Sequence, residues 1–203
     1  ALFGADIQEI RTRSARAEAT NARGSFEAIN IQEAYLEYAL STLRPLTQDV
    51  TVVCDAGSGM AGPIAPELYE RMGAKVLPLY CEADGRFPYH HPDPTEEENL
   101  QDLRAELATS KADIGLAFDG DADRLGAVNC DQRIVWGDQL MLLFAESILK
   151  EIPNAQFLAE VKCSDVLFAR IAELGGSIEM GKVGHSLIKA RMKETGAVLA
   201  GEM

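Results

Sequence analysis

The apolar positions change period along the chain. From Asp6 to about Thr20 the residues are charged and weakly amphipathic, and a helix is expected. Ile31, Ala34, Tyr35, Tyr38 and Ala39 then recur at helical spacing, with Leu36, Leu40 and Leu43 on an adjoining stripe, which predicts a second helix. Between them, Asn21-Ala22-Arg23-Gly24-Ser25 reads as a flexible connector. After that, short β-branched runs alternate with amphipathic stretches. Strands are expected over 50–54, 75–79, 113–118 and 125–129, with helices over 63–72 and 98–108 and a long loop at 80–97. A second block starts near Ile134, with helices over 137–150, 164–174 and 184–193 and strands over 156–161, 177–180 and 197–200. Strands that alternate with helices of about a dozen residues imply mostly parallel sheets under helical cover. The predicted fold class is α/β: two consecutive α/β/α domains with mixed, mostly parallel sheets. Their expected limits are 31–133 and 134–203, split at the turn Cys130-Asp131-Gln132-Arg133. Residues 1–30 read as the end of a preceding domain and a connector.

Composition narrows the function classes. The 203 residues are about half apolar and a quarter charged, as in ordinary globular proteins. No run approaches the roughly 18 apolar residues of a membrane span. The first residues lack the basic and apolar regions of a signal peptide. With no initiator Met, and with a last strand that lacks a capping element, the chain is expected to be an excised piece whose final domain is cut short. Cys54, Cys81, Cys130 and Cys163 are far apart and form no C-x-x-C pair, so reduced thiols in a cytoplasmic setting are expected. A formal net charge of −13 argues against nucleic acid as a partner. It also repels anions, so any phosphate ligand needs local cations or a bound metal to reverse the field.

The strongest candidate chemistry lies at 119–124. Asp119, Asp121 and Asp123 follow a buried apolar strand, two residues apart, and alternate residues of an extended backbone point the same way. Three converging carboxylates repel one another unless a cation neutralises them, and hard oxygen ligands select Mg²⁺ or Ca²⁺. Strand ends are also where α/β sheets place ligands. An EF-hand is excluded, because its sixth and twelfth positions would be Arg124 and Cys130 instead of Gly and Glu. Two other readings stay open: a phosphatase with Asp119 as covalent nucleophile, and a plain acidic turn. Gly57, Gly59 and Gly62 lack a following G-K-[ST] and read as a tight turn. His90 and His91 lack a third ligand and read as polar loop residues.

Asp119-Gly120-Asp121-Ala122-Asp123-Arg124 resembles the D-G-D-G-D-R metal signature of the α-D-phosphohexomutases. Ala122 departs from it, since Ala does not enter positive φ as easily as Gly. Val53 to Gly62 resembles the family's strand–glycine turn. Asp84-Gly85-Arg86-Phe87-Pro88 and His91-Pro92-Asp93-Pro94 resemble its D-G-x-F-P and H-P-x-P loop. Val183-Gly184-His185 resembles its V-G-H helix start. Gly201-Glu202-Met203 resembles its sugar loop, in the form carried by the bacterial phosphomannomutase/phosphoglucomutase subgroup.

This resemblance implies a Mg²⁺-dependent enzyme of four domains around one cleft, of which the chain holds the second and part of the third. It implies a phosphoserine that exchanges phosphoryl groups with a mannose or glucose 1- or 6-phosphate through a hexose 1,6-bisphosphate. Its T-x-S-H-N-P serine loop is absent here, so the fragment alone is expected to be inactive. By the same resemblance Asp119, Asp121 and Asp123 hold the metal, Arg124 is catalytic, and Lys162, Gly184, His185 and Glu202 bind substrate. No nucleic-acid or membrane partner is implied.

Overall fold

A computed structural model of the chain describes residues 4–17 and 23–202. These divide into two compact units, one comprising Asn30–Trp136 and the other Gly137–Met203 with the first 29 residues. The expected first helix appears as α1, Ala5–Arg16, with no buried residue. Its expected extension to Thr20, and the first residues of the connector, lie outside the described residues.

In the unit 30–136, α2 (Gln32–Thr42) precedes β1 (Thr51–Asp55), α3 (Ala65–Arg71), β2 (Lys75–Leu79), a 3-10 turn (Glu97–Leu100), α4 (Gln101–Ser110), β3 (Ile114–Phe118), β4 (Leu125–Asn129) and β5 (Ile134–Val135). The sheet order is β2-β1-β3-β4-β5. The first three strands are parallel, and β4 and β5 are antiparallel additions. β1 lies between β2 and β3 and is apolar on both faces. Val52 and Cys54 join a core with Ala61, Ala65 and Val76, while Val53 joins the opposite core with Leu100, Leu103 and Leu107. Helix α4 packs directly on β3 because Gly115 has no side chain: a Cβ there would lie 2.8 Å from Leu103 and Leu107.

The other unit runs α5 (Gly137–Glu151), β6 (Gln156–Glu160), α6 (Asp165–Glu173), β7 (Ser177–Gly181), α7 (His185–Thr195) and β8 (Leu199–Gly201). Its sheet is parallel throughout, with β6 between β7 and β8. Phe157 and Ala159 pack with Met141, Ala145, Leu167 and Ile171 from α5 and α6, and Leu158 packs with Ile188 of α7. Ser164 caps α6 by accepting a hydrogen bond from Val166 N.

The boundary expected at 133 falls instead after Trp136. Ile134 and Val135 pair with Val128 and Ala127 of β4, so they close the first sheet and do not open the second block.

Candidate metal and phosphate site

Parallel strands deliver their C-terminal ends to one edge of a sheet. In the unit 30–136, β1 ends there at Asp55, β2 at Leu79, and β3 at Phe118, directly before Asp119. The glycine turn, the loop 80–97 and the aspartate loop therefore meet.

The aspartate loop joins β3 to β4 as a hairpin connection, with Phe118 opposite Leu125. It is a turn and not the extended run expected: Ala122 N–H bonds to Asp119 O at 3.1 Å, and Ala122 takes φ 64°. The position where the family has Gly is thus left-handed, and Ala adopts that conformation at a cost of about 1–2 kcal/mol. The turn still brings the acidic groups together. One carboxylate oxygen each from Asp119, Asp121 and Asp123 lies within 4.8 Å of the others.

Asp119 is almost fully buried, whereas Asp121 and Asp123 are exposed. Arg124 holds Asp119 twice, backbone N–H to Oδ1 at 3.0 Å and Nε to Oδ2 at 2.9 Å. Burial works against the charge on Asp119, but the backbone and guanidinium of Arg124 outweigh it, and its carboxyl is held below the usual range. Asp121 is pushed up, first by its hydrogen bond with Asp119 and then by the charges of Asp123 and Asp119. This electrostatic crowding is what a hard divalent cation relieves, and the all-oxygen donor set suits one.

Two neighbouring segments brace the loop. Met60 N–H bonds to Gly120 O at 3.0 Å, and a Cβ on Gly59 would lie 2.8 Å from that oxygen. A Cβ on Gly62 would lie 2.1 Å from the carbonyl oxygen of Cys81. These glycines permit close backbone approach, as expected of a tight turn.

Sequence reasoning missed two residues here. His90 is no idle loop residue: its Nε2 lies 3.1 Å from Oδ2 of the buried Asp55, and its Nδ1 3.0 Å from His91 O. Asp93, which drew no assignment, accepts from Arg124 Nη1 at 3.0 Å. The only signal in the sequence was that a strand-end Asp such as Asp55, once buried, needs a partner.

In the second unit the other candidates also share one edge. Lys162 follows β6 and pairs with the buried Glu160 at 3.1 Å. Gly184 and His185 follow β7, and Glu202 follows β8. Glu202 Oε1 accepts from Gly184 N at 2.6 Å, so two of the resembling motifs meet directly. A helix N-terminus favours an anion, and at the start of α7 the carboxylate of Glu202 takes that place. Met203 lies outside the described residues.

Fold and site define a class: paired α/β/α domains with a carboxylate trio at one sheet edge and a Lys, a His and a Glu at another. Residues 33–132 match the family model for phosphoglucomutase/phosphomannomutase, alpha/beta/alpha domain II, and residues 136–203 match the model for domain III. The chain belongs to the phosphoglucomutase/phosphomannomutase family. It is 46% identical over 202 residues to the phosphomannomutase/phosphoglucomutase of Pseudomonas aeruginosa, covering 100% of this chain and 43% of that protein. It is 45% identical over 185 residues to the phosphoglucomutase of Neisseria gonorrhoeae, covering 91% of this chain and 40% of that protein. A solved phosphoglucomutase/phosphomannomutase family protein from Burkholderia thailandensis superposes with a TM-score of 0.91 at 44% identity, over 99% of this chain and 44% of the other. The chain thus spans less than half the length of these relatives. Among the described residues no helix is long and apolar enough to cross a membrane.

Proposed function

We propose that the chain supplies the metal-binding domain and much of a sugar-binding domain of a cytoplasmic, Mg²⁺-dependent phosphomannomutase/phosphoglucomutase. The complete enzyme interconverts hexose 1-phosphate and hexose 6-phosphate, of mannose or glucose, through a phosphoserine and a hexose 1,6-bisphosphate. The convergence of three carboxylate oxygens within 4.8 Å at the strand edge carries this reading, and the names of relatives at 45–46% identity support it.

Phosphoryl transfer is mostly positioning and charge neutralisation. Asp119, Asp121 and Asp123 hold the cation, which supplies positive charge to the oxygens of the transferring phosphoryl group. Arg124 adds a guanidinium beside that point. Lys162, Gly184, His185 and Glu202 bind the hexose phosphate: Lys162 and His185 face its anionic oxygens, and Glu202 accepts from sugar hydroxyls. These cations and the metal offset the acidic surface. The serine that carries the phosphoryl group is not in this chain, so the chain alone does not turn over.

The test is isomerisation of mannose 1-phosphate or glucose 1-phosphate, with Mg²⁺ and a trace of the 1,6-bisphosphate, by this chain alone and by a longer protein that includes a serine loop. The reading expects turnover only from the longer protein, abolished by chelation and by Asp119→Asn. Steady release of inorganic phosphate by the chain alone, lost in Asp119→Asn, would replace it with an aspartate-based phosphatase.

A further inference from the structure

The segment Pro92-Asp93-Pro94 is fitted to the aspartate hairpin along its length. A Cβ on Gly120 would sit in ordinary contact with the Pro92 ring, at 3.5 Å. A Cβ on Gly126 would sit 2.7 Å from Pro94 Cβ, so β4 receives this proline only because residue 126 has no side chain. Between those contacts Asp93 reaches Arg124, with Oδ1 3.0 Å from Nη1. Asp93 is itself held in place. Its Oδ1 accepts from Thr95 N at 3.1 Å and Thr95 Oγ1 at 2.7 Å, and its carbonyl accepts from Asn99 Nδ2 at 2.9 Å.

We infer that Asp93 is a positioning residue for the phosphoryl-transfer site: it fixes the guanidinium of Arg124, docks it on Asp119, and leaves Nη2 for a phosphate oxygen. This rests on the function proposed above. Arg124 divides its donors. The backbone N–H and Nε serve Asp119, Nη1 serves Asp93, and Nη2 has no hydrogen-bond partner among the described residues. A flexible arginine would otherwise sample many rotamers, and two carboxylates on different segments restrict it to one.

The second carboxylate also settles a competition for charge. Without Asp93, the nearest acidic groups to Arg124 are Asp119 and Asp123, the latter 3.8 Å from Nε, and both are cation ligands in this reading. The guanidinium then acts as an internal rival to the divalent ion. With Asp93 present, part of its charge is balanced outside the trio. Burial opposes the charge on Asp93, but the bonds from Thr95 and Arg124 prevail and keep it ionised.

The test is a double-mutant cycle on the full chain, read by Mn²⁺ titration with electron paramagnetic resonance. Removing a residue that orients a metal ligand typically lowers affinity by about tenfold or more. Asp93→Ala is expected to weaken Mn²⁺ binding by about tenfold, and Asp93→Asn, which keeps an oxygen acceptor, to recover most of it. In an Arg124→Gln background, Asp93→Ala is expected to change affinity by less than about twofold, since its effect runs through the guanidinium. Gly126→Ala, which displaces Pro94 but leaves Asp93 intact, is expected to reproduce the loss. Equal losses from Asp93→Ala in both backgrounds would overturn the inference. A second readout needs no metal: the guanidinium resonances of Arg124 by NMR are expected to report slower rotation in the unaltered chain than in Asp93→Ala. If Mn²⁺ does not bind the unaltered chain, the cation reading fails. The guanidinium rotation then decides the role of Asp93, and unchanged rotation in Asp93→Ala refutes it.

Discussion

His90 and Asp55, thirty-five positions apart in the chain, form a pair in which Nε2 of the half-buried histidine lies 3.1 Å from Oδ2 of the buried aspartate. Asp55 Oδ1 also accepts from Gly57 N at 2.9 Å, so one carboxylate ties the strand-end turn to the loop that carries Asp93. With the His91 carbonyl at Nδ1, both ring nitrogens face acceptors, which favours the doubly protonated imidazolium. The hydrogen bond to Asp55 is the largest cause of a raised His90 pKa, against the opposing effect of burial.

A group whose pKa rises on folding contributes stability that is fully present below its unfolded value and is lost as pH climbs through the folded value. His90 is therefore expected to make the protein most resistant to urea below about pH 6.5, with a decline in the region above. The check is urea unfolding across pH 5.5–9 for the unaltered chain and for His90→Gln. A slope of equal size in both would remove His90 as its source. Asp55→Ala, which removes the partner of the half-buried histidine, is expected to lose about 1–3 kcal/mol.

Gly62 faces the carbonyl of Cys81 so closely that a Cβ would lie 2.1 Å from its oxygen, and the obstacle is backbone. Gly62→Ala is expected to destabilise the unit 30–136 by about 2–3 kcal/mol, whereas Gly85→Ala, with nothing within 4 Å and no positive φ, meets no steric obstacle. Denaturant midpoints decide between them, and equal losses would contradict the contact.

Ala122 sits at φ 64°. Ala→Gly elsewhere typically lowers stability by about 0.4–1 kcal/mol through the unfolded chain. Here the relief of left-handed strain, about 1–2 kcal/mol, acts in the opposite direction. Ala122→Gly is expected to leave stability unchanged or raise it by up to about 1 kcal/mol. A loss above that size in a thermal or urea melt would mean that the turn is not left-handed there.

Mg²⁺ is expected to raise the melting temperature of the unaltered chain, because a ligand that binds only the folded state stabilises it. Asp119→Asn and Asp121→Asn are expected to abolish the shift, and Asp138→Asn, an acidic residue at the start of α5, to keep it. A shift that survives both loop variants would place the ion elsewhere.

Cys81 is half-buried and its thiol is pulled down chiefly by its hydrogen bond with Cys54, whose own thiol is pushed up by that bond and by burial. Iodoacetamide at pH 7.5 is expected to label Cys81 and the exposed Cys130 well before Cys54 and Cys163, as thiolate fraction and access dictate. Mass spectrometry of timed digests checks the order, and early labelling of Cys54 would contradict the burial.

The sequence by itself determined the β/α rhythm, the two α/β/α sheets and the acidic segment after a buried strand, though not its hairpin turn. Burial periodicity and turn chemistry act over a few residues, and they are written locally. It also placed Lys162, His185 and Glu202 at strand ends, which parallel topology turns into one edge. Only the tertiary structure decided which loops touch. The pairing of Asp93 with Arg124 depends on β4 returning antiparallel beside β3 and on Gly126, which leaves room for Pro94. The pairing of Asp55 with His90 depends on β1 lying next to β2. The two-residue β5 was too short to carry a period, and its place came from the hydrogen-bonding edge that β4 offered. Partner choice across thirty or more residues is set by strand order and close packing, and neither leaves a local mark on the chain.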